Sequence, residues 1–119
     1  MKLPEPPYWA VIFSNQRRRD NPELEAAYDS TAARMVELAQ GRAGYLGIDS
    51  VRGADGFGIT VSYWRDLDDI ASWRRELEHA AARERGRRDW YDGYELRVAQ
   101  VMRGYDWSRD QGRPEDPAP

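Results

Sequence analysis

The sequence predicts an α+β fold with the element order β-α-β-β-α-β. Three observations carry the prediction. Four short stretches are rich in aromatic and β-branched residues, two stretches between them repeat apolar residues at helical spacing, and capping or turn residues stand at the junctions. Tyr8 to Ser14 (YWAVIFS) reads as the first strand, after a proline-rich lead-in over residues 1–7 that is expected to be flexible. Asn15 to Asp20 reads as a polar, basic loop. Asn21 followed by Pro22 then starts a helix, with a side-chain cap and a proline where no intrahelical donor is lost. Leu24, Tyr28, Thr31, Met35 and Leu38 form its apolar stripe, and Gly41 is its natural stop.

Gly44 to Arg52 reads as the second strand and Phe57 to Trp64 as the third, joined across Gly53–Gly56 as a hairpin. Asp66 caps a second helix, and Asp68 and Asp69 lie in its first turn, where the helix dipole favours anions. Ile70, Trp73, Leu77 and Ala80 or Ala81 make its buried stripe, and Tyr94 to Val101 is the last strand. Residues 107–119 have no periodicity and read as a disordered tail, which leaves 8–106 as the folded domain. The order is ferredoxin-like, with two helices on one face of an antiparallel sheet. The opposite face needs a cover that so short a chain cannot supply from a third layer, so a homodimer with facing sheets is expected.

Composition narrows the chemistry. At 119 residues there is room for one domain. A net charge of −3 argues against nucleic-acid binding, despite the Arg17–Arg19 run and the arginine-rich stretch from Arg83 to Arg88. Absence of cysteine excludes disulfides and thiolate chemistry, and no apolar run is long enough to span a membrane, so a cytoplasmic protein is expected. Lys2 is the only lysine and His79 the only histidine. No carboxylate pattern of ligand type accompanies that histidine, so no metal is expected, and Gly53, Gly56 and Gly58 lie on a hairpin rather than before a helix, so no phosphate-binding loop is read. Five tryptophans and seven tyrosines against two phenylalanines favour a pocket or an interface, because their rings bury area while keeping a polar handle.

His79 is the first candidate for chemistry, flanked in sequence by Trp64, Trp73, Trp90 and Tyr91. On an unbroken helix it lies about half a turn from the Ile70–Leu77 stripe and points to solvent. It faces a pocket only if the helix bends or restarts near Glu76. In a pocket, an imidazole titrating near neutrality is the natural base for a phenolic proton. Trp73 reads as core or pocket wall. Tyr63 and Trp64 fall on opposite faces of their strand, so only one of them can meet the helices. Trp90 and Tyr91 can close a pocket or seal a dimer, Tyr28 belongs to the packed stripe, and Asn15 is either a loop residue or a donor to a substrate oxygen.

The stretch from Tyr63 to Val101 also carries a resemblance. Tyr63-Trp64 before an acidic helix start, Trp73, Glu78-His79, Ala81-Ala82, Gly86-Arg87, Trp90-Tyr91, Tyr94, Arg97-Val98-Ala99 and Val101 stand in the order seen in one bacterial branch of the antibiotic-biosynthesis monooxygenase superfamily. The chain resembles that superfamily over about residues 8 to 105. The resemblance implies a dimeric α+β barrel. It also implies a range of activities, from cofactor-free oxygenases of polycyclic phenols and anthrones to haem-degrading enzymes and members of no assigned activity. Two departures stand out. Glu76 and Leu77 occupy places where similar sequences often carry histidine and proline, and Arg83 occupies the place of the haem-ligating histidine.

The expectation from the residues and the resemblance together is a cofactor-independent monooxygenase. It would act on a small electron-rich aromatic or polyketide-like substrate with molecular oxygen. His79 would be the base, Asn15 the donor to the developing oxyanion, and Trp73, Trp64, Tyr63, Trp90, Tyr91 and Tyr28 the substrate wall. The alternative is a non-catalytic protein that binds an aromatic ligand on the same barrel.

Overall fold

The structure, a computed structural model, describes residues 3–18 and 21–109. Its elements are β1 (Tyr8–Arg17), α1 (Pro22–Gln40), β2 (Tyr45–Arg52), β3 (Phe57–Trp64), α2 (Leu67–Arg75), α3 (Leu77–Arg85), a π-helical turn (Gly86–Trp90) and β4 (Tyr91–Val101). The four strands form one antiparallel sheet in the order β2-β3-β1-β4. This is the ferredoxin-like α+β arrangement that the sequence predicts. Among the described residues no helix is long and apolar enough to cross a membrane.

Three boundaries differ from the sequence expectation, each for a physical reason. β1 does not stop at Ser14 but runs on through Asn15, Gln16 and Arg17. Asn15 lies between Gly58 of β3 and Tyr94 of β4, so pairing on both sides overrides the turn preference of asparagine. β4 begins at Tyr91 rather than Tyr94, because Tyr91 pairs with Arg17 across the register shift at the end of β1. The second helix is two helices. Glu76 adopts φ −59 and ψ 133, ending α2 and starting α3. Of the C-terminal segment, Trp107 to Arg109 are within the described residues and the rest of the expected tail lies outside them.

The ladder register sorts the side chains into two faces. Trp9, Phe13 and Asn15 share the helix-covered face with Trp64, Thr60 and Gly58 of β3. Tyr8, Ala10 and Ile12 share the other face with Tyr63, Val61 and Ile59. Tyr8 and Ala10 are buried there, whereas Val51, Phe57 and Ile59 are exposed. The lead-in is tied to the end of β3 by Arg65, whose Nη1 donates to the carbonyls of Glu5 and Pro7.

Entry into β2 depends on Gly44. Its φ of +81 is a left-handed conformation, and an added Cβ would fall on the Asp69 carboxylate at the start of α2. That carboxylate accepts from the Asp66 backbone N–H at 3.2 Å, closing the first turn of the helix. Gly44→Ala is therefore expected to destabilise the fold by about 1–3 kcal/mol. Urea unfolding checks this, and an unchanged midpoint would show that the turn relaxes without cost.

Candidate functional site

The break at Glu76 decides where His79 points. On a continuous helix, six residues at about 100° each would carry His79 roughly a third of a turn away from Trp73. Instead the imidazole stacks on the Trp73 indole, with centroids 4.2 Å apart and planes at 12°. Its Nδ1 lies 3.0 Å from the Trp73 carbonyl oxygen. A carbonyl can only accept, so Nδ1 carries the proton and Nε2 keeps a free lone pair. Burial holds the imidazole below its ordinary titration, and the cations Arg83 and Arg74 add to the effect. The Trp73 carbonyl and the Glu76 carboxylate oppose it. Burial thus favours the neutral imidazole, and the contact of Nδ1 with the carbonyl leaves the lone pair on Nε2.

Trp73 stacks in turn on Trp64, at 6.1 Å and 27°. Trp64 is fully buried, donates from Nε1 to Ser62 Oγ, and meets Tyr45 edge-on at 5.6 Å. These rings pack the sheet-to-helix space at this end of the fold. Of the pair that ends β3, Trp64 faces the helices. Tyr63 faces away, edge-on to Tyr8, with its hydroxyl donating to Asp49 at 2.8 Å. Partial loss of solvent, reinforced by the neighbouring carboxylate, pushes its phenol up to about 12.

A second cluster forms at the other end of the same face. Tyr28 of α1 meets Trp90 and Tyr91 edge-on at 5.5 and 5.8 Å, and Phe13 packs against Tyr91 and Tyr94. The Arg17 guanidinium lies 4.1 Å from the Tyr28 ring centroid, and Arg52 Nη2 donates to the Tyr28 hydroxyl at 2.8 Å. Burial drives the Tyr91 phenol well above its ordinary titration. The Arg52 guanidinium also covers Gly58, the cross-strand partner of Asn15, so a side chain there would displace it. Beside this cluster Arg17, Leu24 and Trp90 line a shallow surface depression that encloses no cavity.

Two residues at this end of the face, Asn15 and Trp90, carry buried polar side-chain atoms without a partner among the described residues. Asn15 is 1% exposed, and neither amide atom has a hydrogen-bond partner among the described residues. A buried, unsatisfied amide is costly and rare in a folded protein.

The candidate residues therefore fall into two groups. His79, Trp73 and Trp64 stand together, as do Tyr28, Trp90 and Tyr91, with Asn15 linked to the second group through its cross-strand partner Gly58 and the Arg52 guanidinium that bonds Tyr28. Trp64 pairs with Trp9 of β1, and Asn15 lies six residues further along that strand, about 20 Å at ~3.3 Å per residue. His79, expected as the base, and Asn15, expected as the oxyanion donor, therefore stand at different ends of the helix-covered face. Sequence reasoning also passed over Tyr45 and Arg52. A register shift between Tyr45 and Gly47 changes the alternation of β2 and turns Tyr45, Ser50 and Arg52 to the same face.

Comparison with known proteins places this geometry. Residues 13–85 match the family model for antibiotic biosynthesis monooxygenase. The chain is 54% identical over 102 residues to the uncharacterized protein YqjZ of Bacillus subtilis, covering 86% of each chain. It is 39% identical over 46 residues to the jasmonate monooxygenase ABM of Pyricularia oryzae, a stretch that covers 39% of this chain and 21% of that one. The fold superposes on SnoaB, a cofactor-independent oxygenase from Streptomyces nogalater, with a TM-score of 0.68 at 12% identity. The superposition covers 83% of this chain and 97% of that one. With the family model spanning more than half its length and a relative matched over most of both chains, the protein belongs to the antibiotic biosynthesis monooxygenase family.

Proposed function

We propose that the protein is a cofactor-independent monooxygenase that deprotonates a small electron-rich aromatic or polyketide-like substrate and lets the anion react directly with molecular oxygen. The observation that carries this reading is the His79 imidazole, held with its Nδ1–H on the Trp73 carbonyl and its Nε2 lone pair free. The likeness to SnoaB, itself described as a cofactor-independent oxygenase, supports the reaction class.

For an anthrone, Nε2 would take the ring proton and leave a delocalised carbanion. One electron passes from the anion to oxygen, the radical pair combines to a peroxide anion, and the imidazolium returns its proton to give the hydroperoxide. Loss of water then gives the quinone, so that one oxygen atom enters the product and the other leaves as water. Asn15 and Arg52 stand too far along the sheet from the Trp64–Trp73–His79 stack to share one small ring with the base, and in this reading would hold an oxygen at the far end of an elongated, polyketide-like substrate.

Oxygen consumption by the metal-stripped protein over anthrones, hydroquinones and polyphenols tests the reading. Uptake above the uncatalysed rate supports it, and none across the panel sinks it for this substrate class. A second reading, binding of an aromatic ligand without turnover, draws on the close packing of the Trp73–His79 stack. Tight binding that is indifferent to replacement of His79 would favour it.

The pH dependence has a defined sign. A base must be unprotonated, so kcat/KM should fall on the acid side with a midpoint below about 6.5, because burial depresses the imidazole. A midpoint at or above 6.5 would assign the acid limb to another group.

The active form in this reading is a homodimer. The sheet face turned away from the helices exposes Val51, Phe57 and Ile59, and one row across it reads Asp49, Val61, Ile12, Arg97. A second copy turned about the strand direction would lay the Asp49 edge over the Arg97 edge, with the apolar pair between them. Arg97→Glu is expected to weaken self-association at least tenfold, and adding Asp49→Arg to restore it, by sedimentation equilibrium. Association unchanged by either substitution would place the interface elsewhere.

A further inference from the structure

We propose that Glu76 is the positioning residue that turns His79 onto Trp73. The inference rests on the reading of His79 as the base and adds the device that aims it. Between the two helices the chain has neither proline nor glycine to force a break. Its place is taken by one carboxylate that uses both oxygens on the first turn of α3. Oε1 accepts from the Glu78 backbone N–H at 3.1 Å, and Oε2 from the His79 backbone N–H at 2.9 Å.

The acceptor that caps α3 is thus bonded to the very residue that carries the imidazole. On the other side of the break, the Glu76 N–H donates to the Trp73 carbonyl at 3.1 Å. That same carbonyl receives His79 Nδ1–H. Glu76 therefore grips both partners of the stack, Trp73 by its N–H and His79 by its side chain.

The alternative conformation is close at hand. Residues 67–85 form one continuous helical stretch if Glu76 enters the α region, and alanine, the best helix former, would favour that. The imidazole would then leave Trp73 for a more solvated side of the helix. Asparagine, aspartate and serine are the preferred caps, so an aspartate should still hold the break.

The charged groups around the imidazole are Arg83 on α3 and Arg74 on α2, with Glu76 between them. The Arg34–Glu78 pair links α1 to the same turn at 3.2 Å.

The test needs no substrate. Nitrogen-15 NMR of the single histidine reports both tautomer and titration, in the wild type, Glu76→Ala and Glu76→Asp. The wild type should show Nδ1 protonated and a midpoint below 6.5. Glu76→Ala should lose the Nδ1–H preference and titrate near the ordinary value of about 6.5, with a gain in helical circular dichroism. Glu76→Asp should keep the wild-type signature.

An imidazole unmoved in Glu76→Ala overturns the proposal, and so does an aspartate variant that behaves like alanine. With an active substrate, Glu76→Ala should lower kcat by about a hundredfold and leave KM nearly unchanged. Loss of the NMR signature with oxygen uptake unchanged would instead remove His79 from the mechanism and leave the positioning intact.

Discussion

Replacing His79 with glutamine is expected to lower the turnover of oxygen by about 10²–10⁴-fold, the usual range for loss of a general base. Glutamine retains an amide that can donate to the Trp73 carbonyl but has no basic lone pair of comparable strength. KM should change little, because the ring removed makes its difference only as the proton moves. Steady-state oxygen uptake measures both parameters, and an unchanged kcat would take His79 out of the reaction. Stability supplies an independent check of the wild-type geometry. Because burial depresses the folded-state titration of His79, its contribution to stability is present above about pH 6.5 and is lost as the pH falls through its lower folded value. His79→Gln should therefore flatten the loss of stability on mild acidification. An acid slope identical in the two proteins would mean that the imidazole is as solvated when folded as when unfolded.

What was legible in the sequence follows the locality of the forces. Phe57–Trp64 was read at both ends because its boundaries are local: a turn before it and a helix cap after it. Asn21 and Asp66 announced their helices for the same reason. The Asn15–Arg17 extension of β1 was hidden, because partners more than forty residues away hold it in the ladder. The faces of β2 were hidden by the single irregularity near Gly47, which changes the alternation on which face prediction relies. His79 was hidden in a different way. Helical periodicity placed it toward solvent unless the helix broke, and the break comes from a side-chain cap supplied by glutamate, a residue type more often read as a helix former than as a cap. The imidazole could be named from sequence as the only one present, but its tautomer and its aromatic partner required coordinates.

Asn15→Leu should move stability and activity in opposite directions. The Asn15 amide is sealed from solvent, and both its polar atoms lack partners among the described residues. An amide taken out of water without compensation costs about 1–3 kcal/mol in proteins, so an apolar side chain of similar volume should raise stability by about that amount. If the amide exists to hold an oxygen at the far end of an elongated ligand, the same change should reduce oxygen uptake at sub-saturating substrate by about 10–100-fold, as loss of one buried hydrogen bond does. A polar group that costs the fold stability and gains its hydrogen bond only from a ligand is what a binding position requires. Thermal unfolding and oxygen uptake on the one variant separate the cases. A gain in stability with loss of turnover assigns Asn15 to the ligand. A loss of stability with turnover retained means that the amide is satisfied by ordered water and serves the sheet. The kinetic split then locates the bond: a rise in KM alone means that Asn15 holds substrate and transition state equally, whereas a fall in kcat means that its donor meets charge that develops only during the reaction.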